Sequence, residues 1–173
     1  DARALLAAGA DKVAVGIGRG REAQVEAIAD IASALGAQAV IAAVDVAACG
    51  GVYDYAERRV VAPDAVRYCQ SLAAVGAGEI LLTSIAREGT RRGYDLDTIR
   101  AVVASVDVPV VAHGGAGDPS HAVEAVQAGA HAVAAASVFL FTEHRPADLR
   151  ARIGAAGFPV REPAAPVAAP SAA

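Results

Sequence analysis

Two carboxylates beside apolar segments are the residues with the clearest capacity for acid–base chemistry. Asp45 closes the apolar run 39–45, and Glu88 lies in the polar loop after the run 79–84. A carboxylate at the end of an apolar strand is partly desolvated, which raises its pKa towards the range of a general acid or base. Asp45 is therefore a candidate catalytic residue and Glu88 a second one, although each alone also fits a carboxylate that caps a loop.

Hydroxyl groups and a glycine accompany Glu88 in the same segment. Thr83 and Ser84 end the run 79–84, and Gly89 follows in the loop. A glycine lets the backbone approach a ligand closely and exposes its amide N–H groups. We interpret these residues as substrate-binding candidates, with a polar loop that binds nothing as the alternative.

Small residues follow the last two apolar runs and indicate an anion site. Gly114 and Gly115 come directly before a helix that begins near Asp118, and Ala136 and Ser137 end the final run. Amide donors and the positive end of a helix attract a phosphate together, although a helix end alone contributes only about 0.3–1 kcal/mol. Paired loops of this kind form the usual phosphate site of a parallel barrel, and tight turns without a ligand are the alternative.

The elements that must position these residues alternate regularly. The predicted strands are 12–17, 39–45, 79–84, 108–113 and 131–137, and the predicted helices are 23–35, 64–75, 95–105, 120–128 and 147–155. Strands that alternate with helices of this length form βαβ units, and such units build a parallel sheet. The carboxyl ends of these strands would bring the candidate residues to one edge.

Five such units predict an α/β fold that is an incomplete (β/α)8 TIM barrel, about strands 4–8 with their helices. The barrel part covers 1–158, and the Ala/Pro-rich segment 159–173 is predicted to be a disordered tail. Five strands form an arc and cannot remove the sheet edges as a closed barrel does. Because the first residue is Asp rather than Met, we expect a truncated copy, or strands supplied from elsewhere.

Composition excludes several classes of function. The formal charge is −4 and no dense Lys/Arg stripe exists, which argues against a nucleic-acid partner. No apolar run reaches the roughly 20 residues of a membrane span. Cys49 and Cys69 lack the spacing of a zinc site and predict reduced thiols in a cytoplasmic protein. The four histidines share no ligand spacing either, so we expect no metal and no cofactor.

Several of these segments together resemble a known family. The stretches GAGEILLTSIAREGTRRGYDLDTI, VPVVAHGGAG and GAHAVAAASVF occur in this order, preceded by LLAAGADKVAV and VIAAVD. They resemble the cyclase subunit of imidazole glycerol phosphate synthase over roughly 1–158. The resemblance implies a (β/α)8 barrel that forms a heterodimer with a glutaminase subunit and takes ammonia from it. It also implies a lyase or cyclase of histidine biosynthesis, which converts a phosphorylated ribulosyl aminoimidazole carboxamide nucleotide into imidazole glycerol phosphate and aminoimidazole carboxamide ribotide.

The resemblance also assigns roles to individual residues. Of the family's two catalytic aspartates, one falls on Asp45, and the other belongs to a strand that this chain lacks. Glu88 stands where the family has a loop aspartate. The distal phosphate site falls on small residues of three loops, namely Gly89, Gly114, Gly115, Ala136 and Ser137. Lys12 and Glu79 match charged residues around the ammonia entrance, and Asp11 matches a position that faces the glutaminase; a salt bridge at the strand starts is the simpler interpretation of the first two.

This sequence departs from the family pattern at several positions. Ile17 replaces a hydroxyl residue of the first phosphate loop, and Ala86 stands where an aspartate is common. The loop after Asp45 is changed, although Gly50-Gly51 suits a hairpin. His113 replaces a small hydroxyl residue, and either a cation that holds phosphate or a neutral ring that crowds the site fits this position. Two alternatives therefore stay open: a related barrel that aminates nucleotide-linked sugars for surface polysaccharide, and a non-catalytic docking protein.

Overall fold

The computed structural model describes residues 2–18 and 20–161, in which strands and helices alternate. In chain order the elements are α1 (Ala2–Ala7), β1 (Val13–Val15), α2 (Arg21–Leu35), β2 (Val40–Val46), β3 (Val52–Asp54), β4 (Arg59–Ala62), α3 (Ala65–Ala74), β5 (Glu79–Ser84), α4 (Leu96–Val103), β6 (Val110–His113), α5 (Pro119–Gln127), β7 (Ala132–Val133), α6 (Ser137–Phe141) and α7 (Pro146–Ala155).

Five parallel strands form the body of the sheet, in the order β1, β2, β5, β6, β7. Each strand therefore lies beside the next parallel strand in the chain, as consecutive βα units require. The short strands β3 and β4 form an antiparallel hairpin attached to the end of β2. This arrangement confirms the predicted α/β fold of barrel type. In the part that the structure describes, the row of parallel strands is open, with β1 and β7 at its two ends.

The two faces of the sheet differ in their surroundings. In β2, burial alternates along the strand, with Val40, Ala42, Val44 and Val46 buried and the residues between them half-buried. The buried residues belong to the main core, which includes Ile28 of α2, Leu72 of α3 and Val102 of α4. The alternate residues, Asp45 among them, lie on the opposite face, because successive side chains of a strand point to opposite sides.

Local sequence explains where several helices begin. Asp64, Asp95 and Asp118 precede α3, α4 and α5, and each side chain accepts a hydrogen bond from a backbone amide of its own helix. Such a cap satisfies one of the amides left free at a helix start and stabilises the helix by about 1 kcal/mol. In α5 the cap is followed by Pro119, whose missing amide costs nothing at this position.

The predicted elements match the structure best in the middle of the chain. The strand 79–84 has the predicted bounds, whereas the strand predicted at 12–17 is limited to Val13–Val15 and that at 131–137 to Ala132–Val133. Both shortened strands have a single parallel neighbour, so fewer ladder hydrogen bonds define their ends. Of the tail predicted at 159–173, residues 159–161 lie in no helix or strand, and 162–173 lie outside the described residues.

Candidate functional site

Three side chains from neighbouring strands lie at one level of the sheet. Asp45 on β2 pairs in register with Thr83 on β5, and Thr83 pairs with His113 on β6. All three belong to the half-buried face that points away from the main core. Because the strands are parallel, the register brings these residues together at the carboxyl edge, where active sites of this architecture lie.

The Asp45 carboxylate has a raised pKa, mainly because burial removes part of its hydration. Two neighbours oppose this effect and lower the pKa: the Thr83 hydroxyl by hydrogen bonding and His113 by its charge. The sequence prediction of a partly desolvated carboxylate at a strand end is in agreement with this environment. A raised pKa brings a carboxyl group closer to the range in which a general acid or base works.

Glu88 reaches the same place from the loop after β5. Its backbone amide donates to the Ser84 carbonyl at 3.0 Å, which fixes the first turn of the loop. One carboxylate oxygen of Glu88 lies 3.7 Å from Nε2 of His113, and Nδ1 of the same ring lies 3.2 Å from the Thr83 hydroxyl oxygen. We call Asp45, Thr83, Glu88 and His113 the strand-end cluster.

The two hydroxyl residues predicted as a pair point to opposite sides. Thr83 belongs to the strand-end cluster, whereas Ser84 is buried and its hydroxyl lies 3.5 Å from an Asp95 carboxylate oxygen at the start of α4. The alternation of side chains along a strand requires this division. Ser84 thus contacts the helix layer, while Thr83 contacts the site.

The hairpin adds a residue that the sequence interpretation missed. Tyr55 follows β3 at the tip, is mostly exposed, and makes an edge-on contact with the Tyr53 ring at a centroid distance of 5.1 Å. The pKa of Tyr55 is raised by partial desolvation and by the negative charges of Asp45 and Glu88. The hairpin that carries Tyr55 is attached to β2 at Val46, the residue after Asp45. Gly50-Gly51, predicted to suit a hairpin, lies in the turn between β2 and β3, and the aromatic pair in the sequence Tyr-Asp-Tyr was the signal available for the tip at 55–58.

A buried aspartate holds the tip of the hairpin in place. One carboxylate oxygen of Asp54 accepts hydrogen bonds from the amides of Ala56 and Glu57, at 2.7 and 3.2 Å. The side chain is fully buried, and among the described residues its other oxygen has no hydrogen-bond partner. This local bond closes the turn directly after Tyr55 and fixes where the tyrosine backbone lies.

Gly114 and Gly115 lie buried where two loops pack closely. A side chain at Gly114 would come within 2.6 Å of the Ser84 carbonyl oxygen, and one at Gly115 within 2.2 Å of the Gly93 carbonyl oxygen. Both glycines have positive φ, and the Gly93 amide donates to the Gly115 carbonyl at 2.8 Å. Close packing of the loops thus suffices to require glycine here. It also brings the backbone after β6 directly against the loop that carries Glu88.

The remaining phosphate-site candidates lie in different surroundings. Gly89 is exposed at positive φ with open space around it. Ala136 is exposed and precedes α6, whereas Ser137 is buried as the first residue of that helix. The N-terminus of α5 is occupied by the Asp118 side chain, which accepts from the Ser120 amide at 2.8 Å. An anion near Gly114 would therefore rely on loop amides rather than on the α5 helix end.

The predicted partner-face residues lie at the opposite edge of the same strands. Lys12 and Glu79 form an ion pair just before β1 and at the start of β5, and both side chains are partly exposed. Asp11 is exposed beside Lys12. The salt-bridge interpretation is therefore correct for Lys12 and Glu79, and it is compatible with a role at an entrance.

The described residues were searched for a metal site and for a membrane-spanning helix. In 2–18 and 20–161, no three His, Cys, Asp or Glu side chains gather as a metal site would require. In the same ranges no helix has the length and apolar character needed to cross a membrane. Cys49 is exposed and Cys69 is buried, and neither forms a disulfide.

Comparison with known proteins finds one matching family and a relative with a related name. The family described as "Histidine biosynthesis protein" matches residues 1–145. The chain is also 44% identical over 168 residues to imidazole glycerol phosphate synthase subunit HisF of Frankia casuarinae (strain DSM 45818 / CECT 9043 / HFP020203 / CcI3). That alignment covers 93% of this chain and 65% of the relative. Together with the parallel strands and the site at their carboxyl ends, these matches show that the chain belongs to the histidine biosynthesis protein family.

Proposed function

We propose that this chain forms the larger part of a cyclase subunit of imidazole glycerol phosphate synthase. The reaction joins ammonia to a phosphorylated ribulosyl aminoimidazole carboxamide nucleotide and releases imidazole glycerol phosphate and aminoimidazole carboxamide ribotide. The chain spans 65% of the length of the relative named HisF, so the activity is proposed for the protein with a complete barrel. The 44% identity favours this subunit over the barrel that aminates nucleotide-linked sugars.

One observation carries the proposal: Asp45 lies at the carboxyl end of β2 in register with Thr83 and His113. Its carboxylate is partly desolvated, with a raised pKa, and a hydroxyl group lies beside it. These are the properties of a general acid that protonates a leaving group, or of a base that activates a nucleophile. Glu88, which belongs to the same cluster, would serve as the second carboxylate on the loop.

Binding of the substrate phosphate is assigned to the loops around Glu88. Gly89 has open space around it, and the backbone at Gly114 and Gly115 packs against the same loop. Ala136 and Ser137 would complete the site from the start of α6. Backbone amides in such loops bind phosphate without a nearby side chain, as in many barrels of this type.

The glutaminase subunit is proposed to dock at the opposite edge. Glu79 and Thr83 lie on one strand and one face, four residues apart, which is about 13 Å. Ammonia entering beside Lys12 and Glu79 would thus be a short distance from Asp45, and Asp11 would contact the partner. We place the complex in the cytoplasm, where this biosynthetic reaction would take place.

The proposal is tested by Asp45→Asn in the complete protein bound to its glutaminase. We expect ammonia-dependent turnover to fall by about two orders of magnitude or more, because an amide of the same shape cannot exchange the proton. Glu124→Gln is the matched control, since Glu124 is exposed on α5 and the change again removes one carboxylate charge.

Two results would contradict the proposal. Turnover that survives Asp45→Asn at the level of the control would favour the non-catalytic interpretation. Failure of the complete, soluble protein to restore growth of a histidine auxotroph would count against this pathway.

A further inference from the structure

The His113 ring lies between the Thr83 hydroxyl and the Glu88 carboxylate of the strand-end cluster. Its Nδ1 atom is 3.2 Å from the Thr83 hydroxyl oxygen, and its Nε2 atom is 3.7 Å from a Glu88 oxygen. Thr83 in turn pairs in register with Asp45 on the neighbouring strand, and its hydroxyl lowers the pKa of Asp45 by hydrogen bonding. Both ring nitrogens thus face partners of the cluster.

The direction of the hydrogen bonds limits how this chain of contacts can be protonated. An ionised Asp45 only accepts, so the Thr83 hydroxyl must donate to it, and the Thr83 oxygen then accepts from Nδ1 of His113. Glu88, also an acceptor when ionised, faces Nε2. A doubly protonated ring can donate to the Thr83 oxygen and towards Glu88 at the same time, whereas a neutral ring carries one N–H and can donate to only one of them.

We propose that His113 is a positioning residue for the acid–base chemistry, which holds the Thr83 hydroxyl in place to donate to Asp45. The role of His113 in turnover rests on the proposed function, whereas its contacts with Thr83 and Glu88 do not. This role differs from the two left open by the sequence, because Nδ1 of His113 contacts Thr83 and Nε2 faces Glu88. His113 acts through Thr83 and Glu88 rather than on the substrate.

Burial and two side chains shift the pKa of Asp45: Thr83 on β5 and His113 on β6 both lower it. Two further titratable groups lie on neighbouring segments, Tyr55 on the hairpin and Glu88 on the loop after β5. Tyr55 is neutral near pH 7, since its own pKa is raised by partial desolvation and by the two carboxylates. Among these groups, His113 and Thr83 oppose the effect of desolvation on Asp45.

The direct test is the titration of the Asp45 side-chain carboxyl carbon by NMR in the isotopically labelled complete protein. Removal of His113 by His113→Asn is expected to move the Asp45 midpoint to higher pH by about one unit, the equivalent of one hydrogen bond to a charged group. His113→Gln is the second variant and takes the place of His113→Asn if that protein does not fold. Thr83→Val should move the midpoint in the same direction, and Glu124→Gln should leave it unchanged.

Turnover supplies the second readout. In the pH profile of kcat, the limb that reports Asp45 should move to higher pH in His113→Asn, and Thr83→Ser, which keeps the hydroxyl, should restore the wild-type profile that Thr83→Val loses. An Asp45 midpoint that stays at the wild-type value in the folded His113 variants would overturn the inference. If the wild-type protein has no turnover but the variants show the predicted changes in the Asp45 midpoint, the proposed function is refuted and the contacts assigned to His113 are retained.

Discussion

At the scale of single residues, the environment of Asp45 makes the folded protein less stable when this carboxyl group is ionised. Partial burial raises its pKa above the ordinary value of 3.8, and the hydrogen bond from Thr83 and the charge of His113 oppose the rise without cancelling it. A folded state that binds a proton more tightly than the unfolded state loses stability as pH rises through this interval. The loss is complete above the raised pKa and absent below the ordinary value.

Asp45→Asn should therefore raise the melting temperature at pH 7, by about 1–3 °C in a domain of this size. The gain should shrink as the pH is lowered towards 4, because the wild-type carboxyl group then becomes neutral as well. Thermal unfolding of both proteins between pH 4 and pH 7 measures the effect. A gain of the same size at both ends of this range would show that desolvation of the carboxylate is not its cause.

At the scale of the elements, a buried glutamine joins α2 to the sheet. The amide nitrogen of Gln24 donates to the carbonyls of Val15 on β1 and Ala43 on β2, at 2.7 and 2.8 Å. Its oxygen accepts from the Tyr68 hydroxyl of α3 at 2.7 Å. Burial raises the pKa of Tyr68 to about 12, so the hydroxyl keeps its proton and remains a donor. Two strands and two helices thus share one polar network.

Tyr68→Phe should lower the free energy of unfolding by about 1–2 kcal/mol, because the buried Gln24 oxygen loses its donor. This corresponds to a melting temperature lower by roughly 2–8 °C. Tyr53→Phe is the control, since the structure gives the Tyr53 hydroxyl no hydrogen-bond partner within the described residues. Urea unfolding of the three proteins is the measurement, and equal stability of the two variants would contradict the importance assigned to the network.

At the scale of the whole molecule, the described sheet has two open ends. The parallel strands β1 and β7 each pair with a single parallel neighbour, so the outer backbone groups of both strands are available for pairing. Beside β7 lies a largely apolar groove of about 760 Å³, lined by residues that include Phe139, Leu149 and Ile153. A closed barrel would remove both ends, and proteins with an exposed edge of this kind tend to associate.

The 173-residue polypeptide by itself should therefore associate with further copies as its concentration rises. Light scattering coupled to size-exclusion chromatography would show a mass above 17.2 kDa that increases with loading. Ala132→Lys, which places a charge on the exposed edge strand β7, should reduce the association. Ala101→Lys on the exposed side of α4 is the control and should not. A polypeptide that is monomeric at all concentrations would contradict the prediction.

The fold class and the strand ends that carry the candidate site could be predicted from the sequence alone. Alternating apolar and helix-period segments predicted the βα units, and Asp45 at the end of an apolar run was identifiable because local periodicity reports burial directly. The Gly50-Gly51 pair likewise predicted a turn, where the Ala47 amide donates to the Gly51 carbonyl at 2.9 Å.

Which of these residues lie close together depends on the three-dimensional fold. Asp45 and His113 are 68 positions apart in the chain, and strand register, a long-range pairing, places them at one level through Thr83. The choice between Thr83 and Ser84 depended on which face of β5 the helices cover, and the position of Tyr55 depended on the hairpin, which pairs with the end of β2. Local periodicity does not contain this information, because it depends on contacts between distant segments of the chain.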